Sequence, residues 1–296
     1  MFPYVVGGIA FLLFFYNPLV EYFSNQPQTL PRTPRPPINE SLLAIDAANE
    51  TAPNCPPATH SVHILSKAPL VIYIENFISP EERDILLDIS PPTRLTPLNS
   101  DPLFESSTIT DDGESTHRNT AIRDSEIAVL PRTELVRCIE RRALAFQGFR
   151  EDLWVERLRT QRYVAGGHYS HHFDWGSGAR GWGRLSTFMV WAASEGVEGG
   201  GTEFPLLRRR DEKGDWCGWV ECPELGGKEG EEQGELAEGE RVLGVTFMPV
   251  AGNAVFWENF RPDGTGRGWE ETWHAGLPVR KGVKVGLNIW SWGRLD

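Results

Sequence analysis

What most constrains this 296-residue chain is the texture of its second half. From about Trp154 onward, short runs rich in β-branched and aromatic residues alternate with Gly-rich turns: LWVERLRTQRYV, RLSTFMVWAA, RVLGVTFMPV, NAVFWEN, TWHAGLPV and VKVGLNIWSW. Strands this short and this numerous cannot each bury a face alone. Antiparallel pairing into a sandwich or barrel is the arrangement that lets them share one core. Hydrophobic residues make up 40% of the chain, with 11 Trp and 15 Phe, enough for a sizeable aromatic-rich core. No internal repeat is present.

The region upstream has a different period. Leu70-Val71-Ile72-Tyr73-Ile74 reads as a buried strand. Ser79-Pro80-Glu81-Glu82 then carries a helix start: Ser79 caps, Pro80 suits the first turn, and Glu82 completes a capping box. Ile85, Leu86 and Ile89 follow at helical spacing. A second helix is predicted over Pro131 to Gln147, where Leu135, Val136, Ile139, Ala143 and Phe146 form one stripe. Residues 91–126 between the two are polar and turn-rich, and are candidates for substrate-contacting loops. The predicted class is therefore mostly β with flanking helices (α+β).

Three segments fall outside this body. Residues 1–22 begin with twenty residues lacking any charged side chain, long enough to cross a bilayer core of about 30 Å, and read as a transmembrane signal-anchor. A cleaved signal peptide is the competing reading, although no basic leader or small-x-small site accompanies it. Residues 23–68 are Pro-rich and aperiodic, the pattern of a disordered stalk, so the ordered domain is expected over 69–296. An insert at about 206–240 ends in an acidic run whose only basic residue is Lys228, a solvated loop by composition. The net charge of −12 argues against nucleic acid as a partner, since phosphate neutralisation needs a basic face.

Arg32 and Arg35 follow the apolar segment and by themselves favour a cytosolic body. The sequons at Asn39 and Asn49 favour a lumenal one, and Cys217 and Cys222 could bridge there. Taken together these place the body in the endoplasmic reticulum lumen on a single-pass anchor, with secretion after cleavage as the alternative. Cys138 falls on the apolar helix stripe and reads as packing.

The chemistry concentrates in Tyr163-Val164-Ala165-Gly166-Gly167-His168-Tyr169-Ser170-His171-His172-Phe173-Asp174. On a strand, His172 and Asp174 project from one face about 7 Å apart along the chain. With a distant His they make a two-His-one-carboxylate set, which holds Fe(II) on one side and leaves positions open on the other. His171 has the opposite parity; His168 shares the parity of His172 but precedes the motif. His274 is the candidate third ligand. Lys284, farther along, is placed to meet the distal carboxylate of 2-oxoglutarate.

These residues resemble the catalytic domain of prolyl 4-hydroxylase alpha subunits, within the Fe(II)/2-oxoglutarate dioxygenases. The family pattern Tyr-x-x-Gly-Gln-x-Tyr-x-x-His-x-Asp is met by Tyr163, Gly166, Tyr169, His172 and Asp174. Glu198 to Pro205, Gly252 to Trp257, and His274 to Pro278 with Gly282, Lys284 and Trp290 match further elements, as does Val71 to Glu82 upstream. The resemblance spans roughly residues 69–296. It implies a double-stranded β-helix (jelly roll) core and an Fe(II) held by His172, Asp174 and His274. It also implies Tyr163, Thr202 and Lys284 as 2-oxoglutarate contacts, with O2 and ascorbate as the remaining cofactors. The implied reaction hydroxylates prolyl residues of a peptide or protein, and the carboxylate at Asp174 implies hydroxylation rather than halogenation. Lysyl or small-molecule substrates, and an inactive jelly-roll binding protein, are the alternatives. Two departures stand out. Gly167 replaces the family's Gln, and Arg118 and Arg123 sit in loops with no matched counterpart. Members of this family act with other subunits or as oligomers, and no assembly surface is legible here.

Overall fold

The structure is a computed structural model that describes residues 35–90, 105–111, 115–177, 181–209, 216–222 and 242–295. Two antiparallel sheets carry it. In chain order their strands are β1 (Ser61–Lys67), β2 (Leu70–Glu75), β3 (Glu105–Ser106), β4 (Arg123–Asp124), β5 (Glu126–Val129), β6 (Trp154–Val155), β7 (Arg159–Tyr163) and β8 (His168–His172). The remainder are β9 (Trp182–Ala193), β10 (Thr202–Arg209), β11 (Val242–Phe247), β12 (Ala254–Glu258), β13 (His274–Gly276) and β14 (Lys284–Arg294). The larger sheet runs β1-β2-β12-β9-β14-β7-β5-β3, with β6 also on β14; the smaller runs β11-β10-β13-β8-β4. From β8 onward the chain passes back and forth between the sheets, so residues far apart in sequence meet across the gap.

Two helices, α1 (Pro80–Ile89) and α2 (Glu134–Phe146), cover the outer face of the larger sheet. The local signals explain both. Ser79 accepts from the Glu82 amide while Glu82 reaches back to the Ser79 amide, and Pro80 fills the first turn. In α2 the cap is Thr133, whose side chain accepts from the Val136 amide, so the helix starts three residues after Pro131. Its stripe of Val136, Ile139 and Ala143 is fully buried with Phe188, Val190, Leu287 and Ile289 of the sheet. The Arg142 guanidinium grips both oxygens of Glu82 at 2.6 and 2.8 Å and locks the helices together. A second core lies between the sheets, where Tyr73, Trp191 and Trp257 meet Phe204 and Phe247.

The stalk expected over 23–68 is corrected from Arg35 onward. Residues 61–67 form β1 and pair with β2. Farther upstream, Leu43 is buried, the Ala44 amide donates to the Val155 carbonyl at 2.9 Å, and Arg132 holds the Ile45 carbonyl and Asp46 at 2.7 Å. Cys55 is bonded to Cys138, so Cys138 is a cross-link rather than simple packing. Periodicity could not show this order, because the segment is held by long-range grips instead of a continuous apolar face. Cys217 and Cys222, a pair the sequence left open, are bridged. The polar stretch before α2 also holds more strand than its turn-rich composition suggested, namely β3, β4 and a hairpin of Ile109–Asp111 with Ser115–His117.

The anchor expected over residues 1–22 and the acidic run at 224–240 lie outside the described residues. Among the described residues, no helix is long and apolar enough to cross a membrane.

Candidate metal centre and its pocket

His172, at the end of β8, and His274, at the start of β13, are direct partners in the register of the smaller sheet. Asp174 does not continue the strand as expected. The strand stops at His172, and Asp174 opens a short 3-10 turn, Asp174–Ser177. The turn still carries its carboxylate back to the two imidazoles: one ligand atom from each of the three residues lies within 4.8 Å of the others. His172 Nε2 is 3.7 Å from Asp174 Oδ1, and His274 Nε2 is 4.0 Å from Oδ2.

The surroundings settle which atoms are free. His172 Nδ1 faces the Ser170 carbonyl at 2.9 Å, and His274 Nδ1 faces the Thr272 carbonyl at 2.8 Å. A carbonyl can only accept, so both Nδ1 atoms carry the proton and both Nε2 lone pairs point at the shared space. Burial pushes the His172 imidazole down to about 3, with the neighbouring His274 acting in the same direction, so the ring is neutral at physiological pH. Tyr169 stacks on His172 at 3.7 Å, while Phe204 and Trp257 flank His274, which fixes both ring planes. Asp174 Oδ2 accepts from the Thr187 hydroxyl at 2.8 Å and the Trp290 indole at 3.1 Å. Burial pushes its carboxyl up. The imidazoles, Arg184 and the Thr187 hydroxyl outweigh that and hold it below the usual carboxylate range.

His171 and His168 do not join the cluster. His171 Nε2 pairs with Glu203 at 2.7 Å on the opposite side of the strand, and His168 turns to the backbone carbonyls of Gly166 and Ala121.

A narrow pocket extends from the triad, lined by Tyr163, Thr202, Lys284, Asn288, His172 and His274 among others. Lys284 is 1% exposed, yet its ammonium has one hydrogen bond, to the Gly200 carbonyl at 2.6 Å, and sits 4.7 Å from the Tyr163 ring centroid. Burial alone pulls its pKa down to about 8. Gly200 has φ +70, and this left-handed turn aims its carbonyl at the ammonium. A Cβ on Gly276 would lie within 4.0 Å of both Lys284 Nζ and Tyr169, so a side chain there would enter the same space. The Tyr163 hydroxyl donates to Gln161 at 2.9 Å.

The donor set suits a divalent first-row metal: two imidazoles whose Nε2 atoms face the shared space and an ionised carboxylate, converging and held from behind. The buried ammonium, short of partners, suits a carboxylate at the far end of the pocket. Sequence reasoning did not single out Thr187 as a partner of Asp174, and it gave Trp290 no role beyond a pattern match. The atoms they meet belong to a turn far from them in sequence, which no local pattern marks.

Residues 158–292 match the model of the 2OG-Fe(II) oxygenase superfamily. Fold, site and matched segment agree on the class: residues 158–292 resemble a 2OG-Fe(II) oxygenase domain. Its curated relatives include prolyl 4-hydroxylase 13 of Arabidopsis thaliana, 26% identical over 302 residues, covering 98% of this chain and 94% of that one. Prolyl 4-hydroxylase subunit alpha-2 of Caenorhabditis elegans is 26% identical over 231 residues, covering 77% of this chain and 35% of that one. Among solved structures, the viral collagen prolyl hydroxylase of Paramecium bursaria Chlorella virus-1 in its 2OG complex aligns at 23% identity and a TM-score of 0.47, covering 75% of this chain and 96% of that one.

Proposed function

We propose that this protein is a 2-oxoglutarate-dependent dioxygenase that hydroxylates prolyl residues of a peptide or protein, on a double-stranded β-helix core. The observation that carries the reading is one pocket with the His172–Asp174–His274 cluster at one end and the underpaired Lys284 ammonium at the other. The prolyl assignment draws on the prolyl 4-hydroxylases among its relatives.

Bound Fe(II) with 2-oxoglutarate supplies the O2 chemistry, in which 2-oxoglutarate leaves as succinate and CO2 and one oxygen atom enters a substrate C–H bond. The chain's own residues do the rest. His172 and His274 offer Nε2, because their Nδ1 protons are committed to backbone carbonyls. Asp174 offers the remaining capacity of its carboxylate, kept ionised and oriented by Thr187 and Trp290. Lys284 binds the distal carboxylate of 2-oxoglutarate, with Tyr163 against its ammonium and Thr202 on the facing strand. Met189 and Trp257 help wall the pocket and exclude water from it.

The two disulfides and the exposed sequon residues Asn39 and Asn49 support an oxidising compartment, such as the endoplasmic reticulum lumen. Mass spectrometry of proline peptides incubated with the protein, Fe(II), 2-oxoglutarate and ascorbate tests the reading. The expected result is the mass of one oxygen atom on proline with stoichiometric succinate. Succinate formed with lysyl or small-molecule substrates but never with proline would replace the substrate class. No Fe(II) binding under anaerobic conditions would sink the whole reading.

A further inference from the structure

A second cation stands on the same strand pair as Lys284 and is left over by the chemistry above. Lys284 pairs with Tyr163, and four residues along β14 Asn288 pairs with Arg159 of β7. Directly paired residues of neighbouring strands share a face, so Arg159 lies on the pocket side with Asn288, about 13 Å along the strand from Lys284. Its guanidinium and that of Arg184 both lie over the Trp290 ring, at 5.9 and 4.1 Å from the centroid. Trp290 is the residue whose indole holds Asp174. Arg159 is therefore one side chain removed from a ligand of the metal cluster.

Among the described residues, Glu156 is the carboxylate that contacts both guanidinium groups, and it is already engaged. Glu156 Oε1 accepts from Arg184 Nε at 2.6 Å and from the Trp292 indole at 2.5 Å, and Oε2 accepts from the Arg184 Nη2 at 3.3 Å. Arg159 reaches Glu156 at 3.6 Å, outside hydrogen-bond length, and its buried Nε has no partner. Burial weighs most against its charge; Glu156 offsets part of this, and repulsion from Arg184, Arg123 and Arg157 adds to the burial effect, so the net shift is downward. A desolvated guanidinium with an unmet donor and like-charged neighbours calls for an anion. Its Nε is enclosed, while the side chain as a whole is 21% exposed, so an anion would approach the guanidinium from its outer Nη edge.

We propose that Arg159 is a specificity-determining residue that receives a carboxylate carried by the substrate, so that the preferred target proline lies beside an acidic residue. The inference rests on the peptide-hydroxylase reading above and deepens it. The carboxylate is the substrate's own, since Lys284 serves the distal carboxylate of 2-oxoglutarate at the other end of the strand pair. The planar fork of Arg159 suits a bidentate carboxylate better than a neutral amide.

The test measures binding of three amidated peptides of equal length, containing Glu-Pro, Gln-Pro or Lys-Pro, to the full chain by calorimetry. The Glu peptide is expected to bind about ten-fold tighter than the Gln peptide, as one charge-assisted contact gives, and the Lys peptide weakest. That preference should shrink at high salt, vanish in Arg159→Gln, and return in part in Arg159→Lys, with unchanged melting temperatures showing both variants folded. Equal affinity for the Glu and Gln peptides overturns the inference, as does a preference that survives Arg159→Gln, or binding of none of the three. So does a loss of 2-oxoglutarate affinity in Arg159→Gln as large as the loss for the Glu peptide. Hydroxylation of the Gln peptide without any charge preference sinks this inference alone. Absence of any peptide hydroxylation or 2-oxoglutarate turnover sinks the functional reading beneath it.

Discussion

The two faces of β9 and β14 use alternate residues of the same strands for different ends. Toward the helices, β14 presents Val285, Leu287 and Ile289, and β9 presents Phe188, Val190 and Ala192, all packed into one apolar core. Toward the smaller sheet, β14 presents Lys284, Asn288 and Trp290, and β9 presents Thr187 under Asp174. The first face satisfies itself by packing. The second buries an ammonium with one hydrogen bond and an amide oxygen of Asn288 with none. Unmet polar groups cost stability, so the pocket face is affordable only because the same strands are anchored from behind. Cohesion and chemistry are thus separated by one residue of phase.

Substitutions on either face should break that separation if it is wrong. The largest effect belongs to the pocket side: Asp174→Ala or His274→Ala should lower succinate formation more than about 10³-fold while the protein stays folded, and Co(II) titration should show loss of the high-affinity site. On the helix side, Leu287→Ala should cost about 2–5 kcal/mol in urea unfolding and leave the Co(II) stoichiometry intact. A comparable loss of metal from Leu287→Ala would show that the two faces are not independent.

Lys284→Met should raise the dissociation constant for 2-oxoglutarate about 30-fold or more, read by calorimetry, since a buried charge loses its partner. The same lysine predicts opposite pH trends for binding and stability. Its buried pKa of about 8 lies below the ordinary 10.5, so between these values the unfolded chain holds a proton that the folded one has released. The ligand-free protein should therefore gain stability as pH rises through this window, relative to Lys284→Met, while 2-oxoglutarate affinity falls. The smallest effect is expected from Thr187→Val, which removes one hydrogen bond to Asp174 Oδ2 and should weaken metal binding about ten-fold.

Much of the fold was legible locally. The Ser79–Glu82 capping box and the α2 stripe depend on residues three or four apart, and both appear in the structure at those positions. The strand segments were legible for the same reason, because period and turn residues lie within a few positions of each other. Asp174 shows the limit even at short range. Its spacing from His172 implied a strand, but the chain turns into a 3-10 segment, and the carboxylate reaches the cluster by that route. The stalk shows it at long range: nothing within residues 35–60 announces that Arg132 and Arg137 will grip Asp46 or that Cys55 will find Cys138.

The sequence by itself determined which residue types could make a metal site here, His172, Asp174 and His274, and that His171 would face away from them. Those are properties of short spacing, fixed by the geometry of one strand. Only the tertiary structure decided what surrounds them: Thr187 and Trp290 behind Asp174, the Gly200 carbonyl on Lys284, and Glu156 spent on Arg184 while Arg159 goes short. Each of these depends on which strand lies beside which and in what register. Which distant strands become neighbours follows from how the whole core closes, so no pattern within one strand contains it.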